Sequence, residues 1–279
     1  MAVFVIKADG SRQLFDREKI MRTSIRMGAS RAEAENIADE VEAKIYEGIE
    51  TKKVLKMVFK LLEKYRPALK NRIDLRRALS LLKSKPDFER FIQILLSEHG
   101  YKVTPNRIIR GKCVEHEVDA IAIKNSESYI VEVKHHYNYH TPTGLDEGRI
   151  SRAVFEDITE GFELGLNKFK IDKAMIVCNT KLSAHAEEYV RCRGIDHICW
   201  SHPKESDLQT MVEKKKLYPA TYCKGMNMED RDKLSSAGII LLRQIIDMSP
   251  EEIRRKTRIN KDKINKLRER AKTIYYDSR

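Results

Sequence analysis

At 279 residues the chain exceeds what one hydrophobic core usually serves, so two or three domains are expected. A content of 41% hydrophobic and 34% charged residues excludes disorder throughout, and with no run of about eighteen apolar residues a membrane helix is excluded too. The formal charge of +12 is uneven: residues 1–84 carry a net +7, residues 85–213 a net −4 and residues 214–279 a net +9.

Basic flanks point to a polyanionic partner, because each Lys or Arg that neutralises a phosphate releases a counterion. The alternative is a solvated, charge-rich surface of the kind heat-adapted proteins carry. The opening MAVFVIKADG has charged residues where a secretory signal needs an apolar core, so a cytoplasmic protein is expected, without membrane contact. Five cysteines (Cys113, Cys178, Cys192, Cys199, Cys223) include no Cys-x-x-Cys pair and signal neither a disulfide framework nor a zinc site.

Taken in chain order, VFVIK, the turn ADGS and RQLF read as a hairpin, since Asp-Gly between apolar runs favours a tight turn. Helices follow: one capped by Asp16 and ended by Gly28, one opened by a Ser30/Glu33 capping box with Ala34, Ile37, Ala38, Val41 and Ile45 on one stripe, one from about Thr51 to Pro67, and one over roughly residues 71–83. KSKPD around Pro86 marks a boundary. The pattern then alternates: helix PDFERFIQILLSEHG, strands CVEHEVDAIAIK and YIVEVK, a helix near 148–165, strand KAMIVCNT, helix AHAEEYVRCR and strand IDHICW. After EKKKLYPATY the chain is helical again, with Ser249, Pro250 and Glu252 opening two short amphipathic helices. The expected architecture is a multidomain α+β protein. A hairpin on a helical bundle occupies residues 1–84, a central α/β mixed sheet flanked by helices residues 85–213, and an all-α module residues 214–279.

If NSES (residues 125–128) makes the turn between the two central strands, Lys124 opposes Tyr129 and Asp119 opposes Lys134. Period-two alternation then puts Asp119, Glu132 and Lys134 on one face of an otherwise apolar strand pair. Buried carboxylates need compensation, and two hard oxygen ligands with open water positions suit Mg2+ or Mn2+. Such an ion could polarise a phosphate oxygen and acidify a water, with Lys134 orienting that water. Glu89 on the preceding helix offers a further carboxylate. His135, His136 and Arg152 are candidates for phosphate contacts, though loop histidines are more often simply solvent-exposed.

The helix with Glu89, then HEVDAIA, then YIVEVK resembles the restriction-endonuclease-like superfamily of PD-(D/E)xK nucleases. That resemblance implies Asp119, Glu132, Lys134 and Glu89 as catalytic residues, with metal held by Asp119, Glu132 and the Val133 carbonyl. VIKADGSRQLFDREKI is similar to the ATP-cone, the nucleotide-sensing domain of ribonucleotide reductases and their repressors. It implies a site for ATP or dATP in which Lys7 and Lys19 meet phosphates, Gln13 and Asp16 lie near base or ribose, and Thr51 contacts the nucleotide. Here Lys7-Ala8 stands where that family commonly has Lys-Arg. SSAGIILLRQIIDMSPEEIRRKTRINKDKINKLRERA is similar to helix-hairpin-helix modules, which implies DNA backbone binding through Lys261, Lys263, Lys266 and Arg268. Its hairpin reads Thr257-Arg258-Ile259-Asn260, without the family's usual glycine. Together these imply a prokaryotic, nucleotide-regulated, homo-oligomeric DNA endonuclease. The alternative is a nucleotide-sensing DNA-binding regulator on a catalytically dead scaffold, although the ATP-cone repressors carry a cysteine-rich zinc ribbon that this sequence lacks.

Overall fold

The computed structural model describes residues 3–277. The opening hairpin pairs β1 (Phe4–Ile6) with β2 (Arg12–Leu14), placing Val5 opposite Gln13. Its turn closes through Lys7 N–H to Ser11 O at 2.9 Å and Gly10 N–H to Lys7 O at 3.0 Å, and Gly10 adopts φ +80°, which glycine tolerates best. Asp16 accepts the Lys19 N–H and caps α1 (Arg17–Arg26); Ser30 and Glu33 form the expected capping box of α2 (Arg31–Glu42). A two-residue strand unforeseen in the sequence, β3 (Ile49–Glu50), runs parallel to β1 and leads into α3 (Thr51–Tyr65). Val5, Ile37, Val41, Val58 and Leu62 form the core of this part.

Beyond a 3-10 turn at Pro67–Asn71 comes α4 (Leu75–Ser80), whose Leu75, Ala78 and Leu79 pack into a different core. The chain passes through a wide turn at Ser84–Phe88 into α5 (Glu89–Glu98) and then the central sheet. Its order is β4 (Lys102–Arg110), β5 (Glu115–Lys124), β6 (Glu127–Lys134), β7 (Lys173–Cys178), β8 (Asp196–Ile198), antiparallel through β6 and parallel beyond it. The parallel crossovers are α6 (Leu145–Glu163) and α7 (Ala184–Cys192). One sheet face, with Ile121, Ile130 and Ile176, packs on this helical layer around Ile158 and Val190. Gly161 lets α6 lie close on the sheet edge, since a Cβ there would stand 2.8 Å from Arg110 O.

The opposite face, with Ala122, Val131, Val133 and Val177, joins α4 and α5 to the C-terminal helices in one continuous core. These are α8 (Leu208–Lys214), α9 (Met228–Ser236), α10 (Leu242–Asp247), α11 (Pro250–Thr257) and α12 (Lys261–Asp277). Of the expected pair of short final helices, the first is α11 and the second, α12, runs to seventeen residues; α10 and α9, the latter capped reciprocally by Asn227 and Asp230, precede them. Among the described residues no helix is long and apolar enough to cross a membrane, and the five cysteines form no disulfide.

Candidate active site

The strand register differs from the expected one by two residues. Asn125 and Ser126 alone form the turn, both left-handed at φ 51° and 66°, and Lys124 opposes Glu127. Two adjacent left-handed residues make the tight turn whose twist matches paired strands. Glu127 and Ser128 are thereby strand residues, and Ser128 is held through its N–H and hydroxyl to the Asp172 carboxylate, both at 2.8 Å. An even shift preserves which face each side chain takes, so Glu132 and Lys134 still share a face.

Around Asp119 the ladder opens. The β4 pairing skips from Pro105–Ala120 to Arg107–Val118, with Asn106 between them left-handed at φ 38°, and the β5–β6 pairing ends at Ala120–Val131. Side chains take over: Asp119 Oδ2 accepts the Val133 N–H at 2.8 Å, and the Asp119 carbonyl accepts from Gln93 Nε2 at 2.9 Å. The Asp119 carboxylate is thus fixed onto the E-x-K strand.

The charged groups form two linked halves at the starts of α5 and α6. In the first, Lys85 Nζ lies 3.0 Å from Glu89, 3.5 Å from Glu117 and 3.6 Å from Asp119. Glu89 and Asp119 are both buried, at 5% and 6% exposure. In the second, Lys134 Nζ lies 2.8 Å from Glu132 and 3.0 Å from Glu147 Oε2. Asp119 raises the proton affinity of both Glu89 and Glu132, which joins the halves. Burial, the largest influence, pushes the Glu132 and Glu89 carboxyls above their ordinary range despite the lysines. Burial also pulls Lys134 down, but its ion pairs with Glu132 and Glu147 outweigh it and the net shift is upward. The hydrogen bond to Glu89 drives Lys85 upward as well. Glu89 and Glu147 each sit in the first turn of a helix, where the backbone dipole favours a carboxylate.

This donor set is all oxygen and suits a hard divalent cation. Among the described residues, however, no three His, Cys, Asp or Glu side chains already converge on one point. Lys85 stands among the carboxylates that would have to do so. Sequence reasoning missed Lys85, Glu117 and Glu147. An acidic residue opening the helix that follows the E-x-K strand is the signal that would have found Glu147; Lys85 lies in the stretch read as a boundary.

The histidines are placed by neighbours of their own. His135 Nε2 donates to Leu79 O at 3.2 Å and its ring lies 4.9 Å from Phe88; His136 contacts Thr143 Oγ1 at 3.1 Å; burial lowers both. Arg152 is engaged by Glu156 at 2.7 Å. In the N-terminal part, Lys7 follows β1, Gln13 lies on β2, Asp16 caps α1 ahead of Lys19, and Thr51 opens α3. At the C-terminal end, Lys261 pairs with Glu251 at 2.7 Å and Lys263 with the buried Asp230 at 2.6 Å. Arg268 donates to the Ile245 and Ile246 carbonyls, and Lys266 is exposed, with no ion pair among the described residues. Arg258 takes the left-handed position at φ 58° that a glycine would favour.

Three stretches of the chain match known families. Residues 3–79 match the ATP cone domain, residues 82–199 a restriction endonuclease family, and residues 218–275 the AF1548-like C-terminal domain. An uncharacterised protein of Archaeoglobus fulgidus is 34% identical over 160 residues, 57% of this chain and 86% of the relative. The crystal structure of the protein of unknown function AF1548 is 30% identical, with a TM-score of 0.57 over 67% of this chain and 96% of that one. Can2 from Sulfobacillus thermosulfidooxidans, in complex with cyclic tetra-adenylate, is 12% identical at a TM-score of 0.31, too slight a likeness to carry an argument. A restriction-endonuclease domain thus lies between an ATP cone and an AF1548-like C-terminal domain, and the chain belongs to the AF1548-like family.

Proposed function

We propose that the protein is a metal-dependent DNA endonuclease whose activity is regulated by ATP or dATP bound to its N-terminal domain. The observation that carries this reading is the gathering of Glu89, Asp119, Glu132 and Lys134 where the β5–β6 pairing opens, beside the apolar cores on the two faces of the sheet. Asp119 and Glu132, with the Val133 carbonyl and Glu89 as further oxygens, would hold Mg2+ or Mn2+, which would supply Lewis acidity toward a phosphodiester. Lys134 holds the attacking water, and Glu147 keeps the Lys134 ammonium charged and aimed. The Lys85 ammonium stands beside Glu89 and Asp119 and would have to leave them for a cation to be held there; its side chain, 60% exposed, has room to do so.

Nicking of supercoiled plasmid with Mg2+ or Mn2+ tests this. Asp119→Ala and Lys134→Ala are each expected to lower the rate by about 100-fold or more, as loss of a transition-state charge contact does. Equal activity in wild type and both variants would sink the proposal. The absence of three preconverged donors among the described residues favours the second reading, a nucleotide-sensing DNA-binding regulator on an inactive scaffold. That reading gains if plasmid is bound, not cut, and Mn2+ calorimetry detects no site sensitive to Asp119→Ala.

A further inference from the structure

At the junction between the N-terminal and central parts, Lys181 meets cations of both parts, and the nearby carboxylates, Asp9 beside Lys7 and Asp74 beside Arg76, do not reach it. Lys7 follows β1, Lys19 lies in the first turn of α1 and Lys52 in that of α3; Arg76 lies on α4, which ends the ATP-cone stretch but packs in the central core, and Lys181 lies in the β7–α7 connection of the central part. Lys181 lies within Coulombic reach of Lys19, Arg76 and Lys7, and His140 of the β6–α6 connection within that of Arg76 and Lys52. Lys7, Lys19, Lys52 and Lys181 carry formal charge with no ion pair among the described residues. Asp74 lies near Arg76 but spends one oxygen capping α4, through the Arg77 N–H at 2.9 Å. Arg76 Nε is buried without a hydrogen-bond partner, and the guanidinium stands 5.6 Å from the Tyr139 and Trp200 rings. Such crowding of like charge is unfavourable unless a polyanion joins it. Burial and these neighbours together lower Lys181 below the ordinary lysine range.

We propose that Lys181, backed by Arg76, is a phosphate-binding residue of the nucleotide site on the N-terminal domain, so that the central domain grips the terminal phosphates of a nucleoside triphosphate. This rests on the reading of that domain as a nucleotide site. Lysine is an effective point-charge partner for phosphate, and a chain of several phosphates supplies the negative charge that Lys181 and its cationic neighbours lack.

The position of Lys181 gives such a contact an effect on the active site. The Lys181 carbonyl accepts the Thr143 N–H at 2.8 Å, and the Thr143 carbonyl accepts the Ser183 N–H at 2.9 Å. Thr143 Oγ1 touches Thr180 and His136, while Asn179 exchanges two 2.8 Å hydrogen bonds with the His136 backbone. His136 stands two residues beyond Lys134. Gly144, next to Thr143, caps the helix that presents Glu147 to Lys134. A triphosphate that draws on Lys181 therefore pulls on both segments that aim Lys134.

Calorimetry on the full chain with ATP, AMP and inorganic tripolyphosphate tests the proposal, with a thermal melt of each variant as the check on folding. Lys181→Ala is expected to weaken ATP and tripolyphosphate about tenfold, the loss of one charge-assisted hydrogen bond, and AMP by less than about twofold. Lys181→Arg should retain most of the affinity and Lys181→Glu less than Lys181→Ala. ATP binding unchanged by Lys181→Ala but lost in Lys19→Ala overturns the proposal and leaves the N-terminal nucleotide site standing. Tripolyphosphate bound through Lys181 by a protein that does not take ATP supports the anion contact and overturns the nucleotide reading. A protein that binds none of the three overturns both.

Discussion

Glu89 and Glu132 hold their charges in places that disfavour them, and Lys85 and Lys134 only partly offset this. Both carboxyls have raised proton affinity in the folded state. Between the ordinary carboxylate value and the raised one, the folded protein binds more protons than the unfolded chain, so stability falls as pH rises through that window. A divalent cation competes for the same oxygens and restores stability above the window, where the protons are gone. Scanning calorimetry should therefore show a larger Mn2+-induced rise in Tm at pH 7 than at pH 4.5. Lys85 sharpens the test. Its ammonium is the resident cation of the Glu89, Glu117 and Asp119 group, and because its own shift is upward, that contribution persists at neutral pH and is lost only as pH rises through the raised lysine value. Lys85→Ala should lower Tm without metal yet tighten Mn2+ by about tenfold, since the ion no longer displaces an ion pair. An unchanged Mn2+ affinity in Lys85→Ala would mean that the cation binds elsewhere.

The elements that the sequence made legible are those whose signals are local. The Ser30/Glu33 box, the Asp16 cap and the apolar stripe of α2 state their structure within a dozen residues. β4 does not: Lys102, Asn106, Arg107 and Arg110 obscure any alternation, and Pro105 argues against a strand unless the strand is at an edge, where this one lies. β3 exists only because β1 pairs with it. α9 is polar around most of its circumference and is defined by its caps, and by Leu234 in a core shared with distant segments. The candidate site divides in the same way. Asp119, Glu132 and Lys134 are legible because an E-x-K strand follows an Asp-bearing strand, whereas Lys85 and Glu147 reach the site only through the placement of α5 and α6. The register difference is instructive, since Asn125, Ser126 and Ser128 all have turn chemistry and the Asp172 contact that draws Ser128 into the strand comes from 44 residues away. The true turn has Ser126 at φ 66°, a position glycine occupies without steric cost. Ser126→Gly should accordingly stabilise the protein by about 0.5–1 kcal/mol, seen as a higher urea midpoint at unchanged m-value; a lower midpoint would show that the Ser126 side chain contributes something the backbone does not reveal.

At the scale of the whole molecule, charge and packing make different demands on the C-terminal helices. The central part is net negative and residues 214–279 carry a net +9, so under the proposed function attraction of DNA would fall to the flanks and attraction of a metal ion to the middle. Removing residues 214–279 would be the obvious test of that division if they formed a separate body. They do not, because Leu234, Ile240, Leu242, Ile264 and Leu267 lie in one core with Phe88, Phe91 and the sheet; the deletion would expose that core and report on folding. Point substitutions separate the two demands. Lys266 is exposed, with no ion pair among the described residues, so Lys266→Gln should leave Tm within about 1 °C, since surface changes of this kind rarely exceed about 0.5 kcal/mol. It should also flatten the dependence of log K for DNA on log salt by about one unit, the signature of one phosphate contact. Arg268 instead satisfies the last carbonyls of α10, so Arg268→Gln should lower Tm by several degrees as those hydrogen bonds to a charged group are lost. Should Lys266→Gln leave the salt slope unchanged, the last helix is not on the DNA path. The basic N-terminal part, with its unpaired lysines at the junction, would then be the polyanion-facing surface of the molecule, and nucleotide and DNA would compete for it.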